Sequence, residues 1–237
     1  MFFQKDRPLD GKPTMAEWPV RIWAEDEVKE EFRPHLERWM RGAFEDYQLV
    51  YAPKRSTVSG SSAYLFGYGL EEILCLRQSS SGVEPTRLRR GEIREAVVER
   101  NLLNMELALR YSEGAQAKVL AFPYIASVYY LYDPFLNWIL GRPLDFMPQA
   151  AEKEHPRPEK LFQESLAMYN FSLDAYRLGD GFTEYAYRQE QTRRRWMPWK
   201  IDVKEWLDIP MERGTFKLYH DGYYRKYQYC GISGPGR

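Results

Sequence analysis

From Asn104 to Tyr111 the apolar residues Met105, Leu107, Leu109 and Tyr111 alternate with polar or small ones. A period of two puts every second side chain on one face of a strand. The connection at residues 112–115, Ser-Glu-Gly-Ala, is polar and contains Gly114, and an apolar pattern resumes at residues 117–122. Two patterned runs around a short Gly-containing connection predict a β-hairpin. A single helix over residues 92–110 would also bring Ile93, Val97, Met105 and Leu109 to one side. The alternation is the closer match, so residues 92–122 are read as extended.

The same reasoning extends in both directions. Pro8, Pro13 and Pro19 predict an irregular arm up to about residue 23. Over residues 25–42, Val28, Phe32, Leu36, Trp39 and Met40 recur at helical spacing. The first turn is acidic, Pro34 should kink or split the helix, and Gly42 ends it. From Tyr47 the period shortens. Residues 47–53, 63–69 and 71–78 read as short strands of a meander, and Ser79 to Pro85 as a loop leading into residues 86–93. Over residues 126–141, Val128, Leu131, Phe135, Trp138 and Ile139 predict a second helix, interrupted near Asp133-Pro134 and closed by Gly141. Residues 142–160, rich in proline and charge, read as a linker. Beyond it, residues 165–191 read as two strands joined at Gly179-Asp180-Gly181. Residues 215–230 read as two more joined at Asp221-Gly222, with Phe216, Leu218 and His220 facing one way. Between these hairpins, residues 199–210 are expected to form a short helix or an irregular cover.

The expected architecture is therefore α+β and mostly β. An N-terminal arm and helix (1–46) precede a β-domain with a closing helix (47–141), the linker, and an aromatic-rich hairpin domain (161–237). The order of short strands, then "TRLRRGEIREAVVERNLL", the hairpin "MELALRYSEGAQAKVLAF" and a terminal helix resembles the bacterial pleckstrin-homology-like domains. The resemblance covers about residues 47–141. It implies a bent, seven-stranded antiparallel barrel capped by a C-terminal helix, serving as a docking platform for proteins, peptides or lipid head groups. It carries over no individual binding residue.

Composition narrows the chemistry. Lys plus Arg and Asp plus Glu number 34 each, which argues against a surface built throughout for nucleic acid or anionic membrane. Eighteen tyrosines and seven tryptophans favour strands and contact surfaces. Cys75 and Cys230 form no CxxC and have no neighbouring His, so reduced thiols in a cytoplasmic protein are the default. "MFFQKD" is too short in apolar residues for a secretory leader. Residues 119–140, though apolar, carry Pro123, Asp133, Pro134 and Asn137, and read as buried structure rather than a membrane span, with an interfacial segment as the alternative.

No catalytic signature stands out. Gly67 and Gly69 lack the third glycine of a dinucleotide fingerprint and the Gly-Lys-Ser/Thr of a P-loop, and read as a bulge or bend. His35, His155 and His220 stand alone without metal-ligand spacing. Glu95 and Glu99 read as a solvated face. No metal or cofactor is expected. Two basic clusters remain: Arg87, Arg89, Arg90 and Arg94, and a second with Arg188, Arg193, Arg194, Arg195 and Lys200 beside Trp196 and Trp199. Arginine beside tryptophan suits stacking, phosphate binding or a membrane interface, and the second cluster is the candidate binding site. The expected function is a non-enzymatic module that binds a protein partner or forms a homo-oligomer through Arg and aromatic surfaces. The alternatives are binding of anionic lipid head groups or nucleic acid through the Arg193–Lys200 patch, peripheral to a membrane and without insertion, or an enzyme using carboxylates such as Glu71 or Glu184 between the domains.

Overall fold

The computed structural model describes residues 18–55, 61–69, 71–141, 158–175, 182–194, 197–211, 214–222 and 224–231. Its backbone contacts divide it into two units, residues 1–87 and 88–237.

The first unit holds a five-stranded antiparallel meander in the order β1-β2-β3-β4-β5: Val20–Ile22, Gln48–Ala52, Tyr64–Gly69, Glu72–Ser79 and Gly82–Arg89. Ser80 and Ser81 alone turn the chain between β4 and β5, so most of the expected loop is strand. The expected first helix is shorter than its apolar period. A 3₁₀ turn occupies Glu25–Glu27, and α1 runs Arg33–Trp39 with Pro34 in its first turn. Proline lacks an N–H, and there none is needed. Phe32 and Leu36 join Leu49, Leu65, Leu74 and Leu76 in a buried cluster.

The second unit is one seven-stranded antiparallel sheet built from two meanders. The first comprises β6 (Ile93–Asn101), β7 (Asn104–Glu113) and β8 (Gln116–Ile125). The second comprises β9 (Ala186–Arg194), β10 (Met197–Met211), β11 (Gly214–His220) and β12 (Tyr224–Cys230). Pairing of β12 with β6 gives the order β8-β7-β6-β12-β11-β10-β9. The hairpin read at residues 104–122 is present, with Glu113 opposite Gln116, as is the Asp221-Gly222 hairpin. After β8, a 3₁₀ segment (Ala126–Leu131) leads into α2 (Asp133–Ile139), with the interruption at Asp133-Pro134.

The sheets are open, so the stretch 47–141 is not closed into the expected barrel. Its strands divide between two sheets, and β6 takes β12 as a neighbour. Two other expectations are corrected. The first strand expected after the linker is helical: α3 (Glu159–Glu164) and α4 (Leu166–Ala175) precede β9. Residues 199–210 are not a helix or cover but part of the 15-residue strand β10. The expected linker lies outside the described residues except at its end, where Pro158 precedes α3 and residues 159–160 belong to that helix rather than to a linker.

In the larger sheet the core face carries Val98, Leu107, Leu109, Phe122, Leu207, Ile209, Phe216, Leu218, Tyr227 and Tyr229, all buried. At one end α2 and the residue that precedes it cover it: Phe135 meets Phe122 edge-on at 5.5 Å, and Tyr132 stacks on Tyr124 at 3.8 Å. At the other end α4 brings Phe171 to 4.8 Å from His220.

At the β10–β11 turn, Gly214 has φ +113°, and a Cβ there would lie 2.0 Å from the Cys230 carbonyl oxygen. Left-handed backbone and contact with a strand carbonyl leave room for no side chain. Gly214→Ala is expected to lower unfolding free energy by about 3 kcal/mol, read as a shifted urea midpoint with unchanged m-value.

Candidate functional site

Alternation along β9–β12 sends a second set of side chains to the face opposite the core. Pairing aligns Arg188 with Trp206, Trp206 with Tyr219, and Tyr219 with Lys226. The Arg188 guanidinium lies 4.2 Å over the Trp206 ring. Trp206 and Tyr219 are 5.4 Å apart between ring centres, and Tyr219 and Tyr224 6.0 Å. Arg188 is exposed and the three rings are half-buried. Arg188, Trp206 and Tyr219, together with Asp208, Lys217 and Lys226, line an open groove of about 580 Å³.

Polar partners hold the row in place. The Tyr219 hydroxyl donates to Asp221 Oδ2 at 3.2 Å, and Asp221 Oδ1 accepts from the Tyr224 N–H at 3.1 Å. Lys226 Nζ lies 3.4 Å from Glu99 Oε1. Burial and a hydrogen bond to Glu99 push the Tyr224 phenol well above its ordinary range. Lys217 and Arg188 bring positive charge to the groove and Asp208 brings negative charge. A planar or acidic group could lie against this surface, since stacking and cation–π contacts tolerate varied partners.

Of the residues singled out from sequence, Arg188 belongs to this row. Arg193 is exposed near the end of β9, and its side chain falls on the other face from Arg188. Arg194 lies on β9 and Trp199 on β10, with their side chains outside the described set; Arg195 and Trp196 lie outside the described residues. Lys200 is exposed where the β9–β10 register shifts between Met197 and Ile201. Trp206, Tyr219, Tyr224, Lys217 and Lys226 were not singled out. The signal that could have found them is the alternation of β10 through β12, which places them on one face.

Glu71 is exposed at a positive-φ position between β3 and β4, and Glu184 is exposed ahead of β9. Gly67 and Gly69 lie in β3; Gly69 has φ +151° against the Asp46 carbonyl, which fits the bend reading. Glu95 does not stand as a solvated face: it is ion-paired to Arg110 at 2.8 Å and accepts a hydrogen bond from Gln228. Both cysteines are free thiols, and burial pushes the Cys75 thiol up to about 11. Among the described residues no cluster of three or more His, Cys, Asp or Glu could hold a metal ion, and no helix is long and apolar enough to cross a membrane. His35 is half-buried on α1, and His155 lies outside the described residues.

His220 does more than end a turn. Its Nε2 accepts from the Gly222 N–H at 3.2 Å, which leaves the proton on Nδ1 in the neutral ring. Nδ1 points toward Glu205 Oε2 at 3.5 Å, beyond good hydrogen-bond distance. Glu205, only 6% exposed, accepts from the Tyr187 hydroxyl at 2.8 Å. Burial first, and then the bond to Glu205, pushes the Tyr187 phenol up to about 12.

A phenol whose folded value lies above its ordinary 10 stabilises the fold while protonated in both states, and that contribution disappears as pH rises from 10 through 12. Tyr187→Phe is expected to cost about 1–3 kcal/mol at pH 8 through the unpaired Glu205 oxygen. Urea melts across pH should show the gap between wild type and variant constant to about pH 10 and closing by about pH 12. No protein-family model matches this chain, and no characterised protein or solved structure does either.

Proposed function

We propose that the chain is a non-enzymatic interaction module whose docking surface is the Arg188-Trp206-Tyr219 row on β9–β11, and that its partner is another protein. The row itself carries this reading. Trp, Tyr and Arg dominate interface hot spots because they bury large, rigid, amphipathic surfaces at small entropic cost. Here they sit side by side on neighbouring strands, outside the core, beside exposed Lys217. Edge strand β9 adds a second mode of contact, strand addition by a partner or another copy.

A PH-like docking platform is supported by element order. Between residues 47 and 141 lie β2–β8, seven strands, followed by the 3₁₀ segment and α2. The open sheets move the argument from a barrel to faces and edges.

The decisive measurement is cross-linking mass spectrometry in a native lysate, with light scattering of the purified chain to register self-association. Cross-links from Lys217 and Lys226 to a partner should be lost in Trp206→Ala, with affinity for that partner falling about thirtyfold, the size of a hot-spot loss. Unchanged cross-linking in a folded Trp206→Ala would refute the assignment.

A second reading, binding of anionic lipid or nucleic acid through residues 193–200, draws on the exposure of Arg193 and Lys200 around the register shift. It requires steeply salt-dependent binding to phosphatidylserine vesicles or a single-stranded oligonucleotide. Changing Arg193, Arg194 and Arg195 together to alanine should then abolish it; indifference to salt or to the substitution rules it out.

A further inference from the structure

On the core face of the larger sheet, where α2 leaves the middle strands, lies a second concavity of about 160 Å³. Val98, Leu107, Tyr124, Tyr132, Leu136 and Tyr229 form its walls, from four strands and the segment that crosses them. Exposed Tyr129 stands at its rim. An apolar cavity of about 150 Å³ accommodates a benzene-sized ring, so one ring or a short acyl chain matches this volume.

One cation belongs to the lining. Arg100 is half-buried, and among the described residues its guanidinium makes one hydrogen bond, from Nε to the Leu102 carbonyl at 3.1 Å. Its terminal nitrogens remain as a fork of donors of the kind that matches a carboxylate. Arg225 lies directly opposite on β12 and on the same face, with its guanidinium 4.2 Å over the Phe171 ring. Arg225 is directed at that ring and at the Tyr227 hydroxyl, 3.5 Å from its Nη1, which leaves Arg100 as the cation of the pocket lining. The one acid of the lining, Asp133, is engaged in an interaction of its own.

We infer that this pocket is a binding site for a small amphipathic carboxylate, with the acid on the Arg100 guanidinium and a single aromatic ring or short acyl body among the tyrosines. It is distinct from the proposed protein-docking row, which lies on the opposite face of the same sheet. The tyrosine walls give ring edges and faces against which an aromatic body packs. The polar demand of the site is met at one point, so the neutral counterpart of such a ligand loses most of its affinity.

The test uses 4-fluorophenylacetate and its neutral counterpart 2-(4-fluorophenyl)ethanol, titrated by fluorine NMR into the whole chain. The acid should bind saturably, at least tenfold tighter than the alcohol. Arg100→Gln should remove that difference while leaving the alcohol unaffected. Amide shifts in labelled protein should appear at Leu136 and Tyr229 and be absent from the Trp206 indole. Tyr129→Ala, at an exposed rim position, should weaken the acid about threefold and keeps the test open if Arg100→Gln does not fold. Equal binding of acid and alcohol, acid binding that survives Arg100→Gln, shifts centred on Trp206, or no saturable binding at millimolar concentration would each overturn the assignment.

Discussion

The pairing of β12 with β6 is the constraint on which the larger unit rests. It joins residues 95–101 to residues 224–230 in one antiparallel ladder, Asn101 opposite Tyr224 and Glu95 opposite Cys230. Without it the unit would be two meanders of three and four strands, each presenting an unpaired edge at β6 or β12. Closing so long a loop is costly in chain entropy before any contact repays it. The repayment is apolar: Ala96, Val98, Tyr227 and Tyr229 are buried where the two halves meet. Polar contacts on the reverse face then fix the register, with Lys226 at Glu99 and Gln228 at Glu95. A slip of one residue would exchange these two sets, sending Lys226 and Gln228 into the core.

That register decides what each face can do. Every strand of β9–β12 contributes alternately to a covered face and to an accessible one. On the covered face, helices at both ends bury the aromatic and aliphatic side chains, and the strip between them holds the Arg100 pocket. On the accessible face the same strands line up Arg188, Trp206 and Tyr219. Rigid strands position such groups more closely than loops do, which is what a stacking surface requires.

How much of this was legible in the sequence differs from element to element, for physical reasons. The 104–122 hairpin was readable because Leu107 and Leu109 face a core that their neighbours do not, and because Gly114, at φ +60°, serves the turn. The Asp221-Gly222 hairpin was readable from its turn chemistry, where Gly222 has φ +91°. Strand β10 was missed although Ile201, Val203, Leu207 and Ile209 alternate, because the inward position between them is Glu205, a buried carboxylate that reads as a break in the pattern. Helix α4 was misread because its Tyr and Phe content suits a strand equally well, and what favours the helix is non-local, the packing of Phe171 against His220 of β11. Of the candidate site, single residues were visible and their row was not: Arg188 and Trp206 become neighbours only through the β9–β10 register, which local sequence does not specify.

The Glu205 position also explains how the two faces stay different. A carboxylate on the core side of β10 costs desolvation energy that an apolar residue would avoid. Here its oxygens meet the Tyr187 hydroxyl and face the His220 ring, and His220 packs in turn against Phe171 of α4. A leucine at 205 would bury comparable surface but would remove the Tyr187–Glu205 hydrogen bond, the directional contact between β9 and β10 at the sheet's edge. Directional polar contacts select one register where apolar packing alone tolerates several. The buried carboxylate therefore serves register more than stability, and register is what keeps Trp206, its immediate neighbour, on the side of the sheet where a partner can reach it.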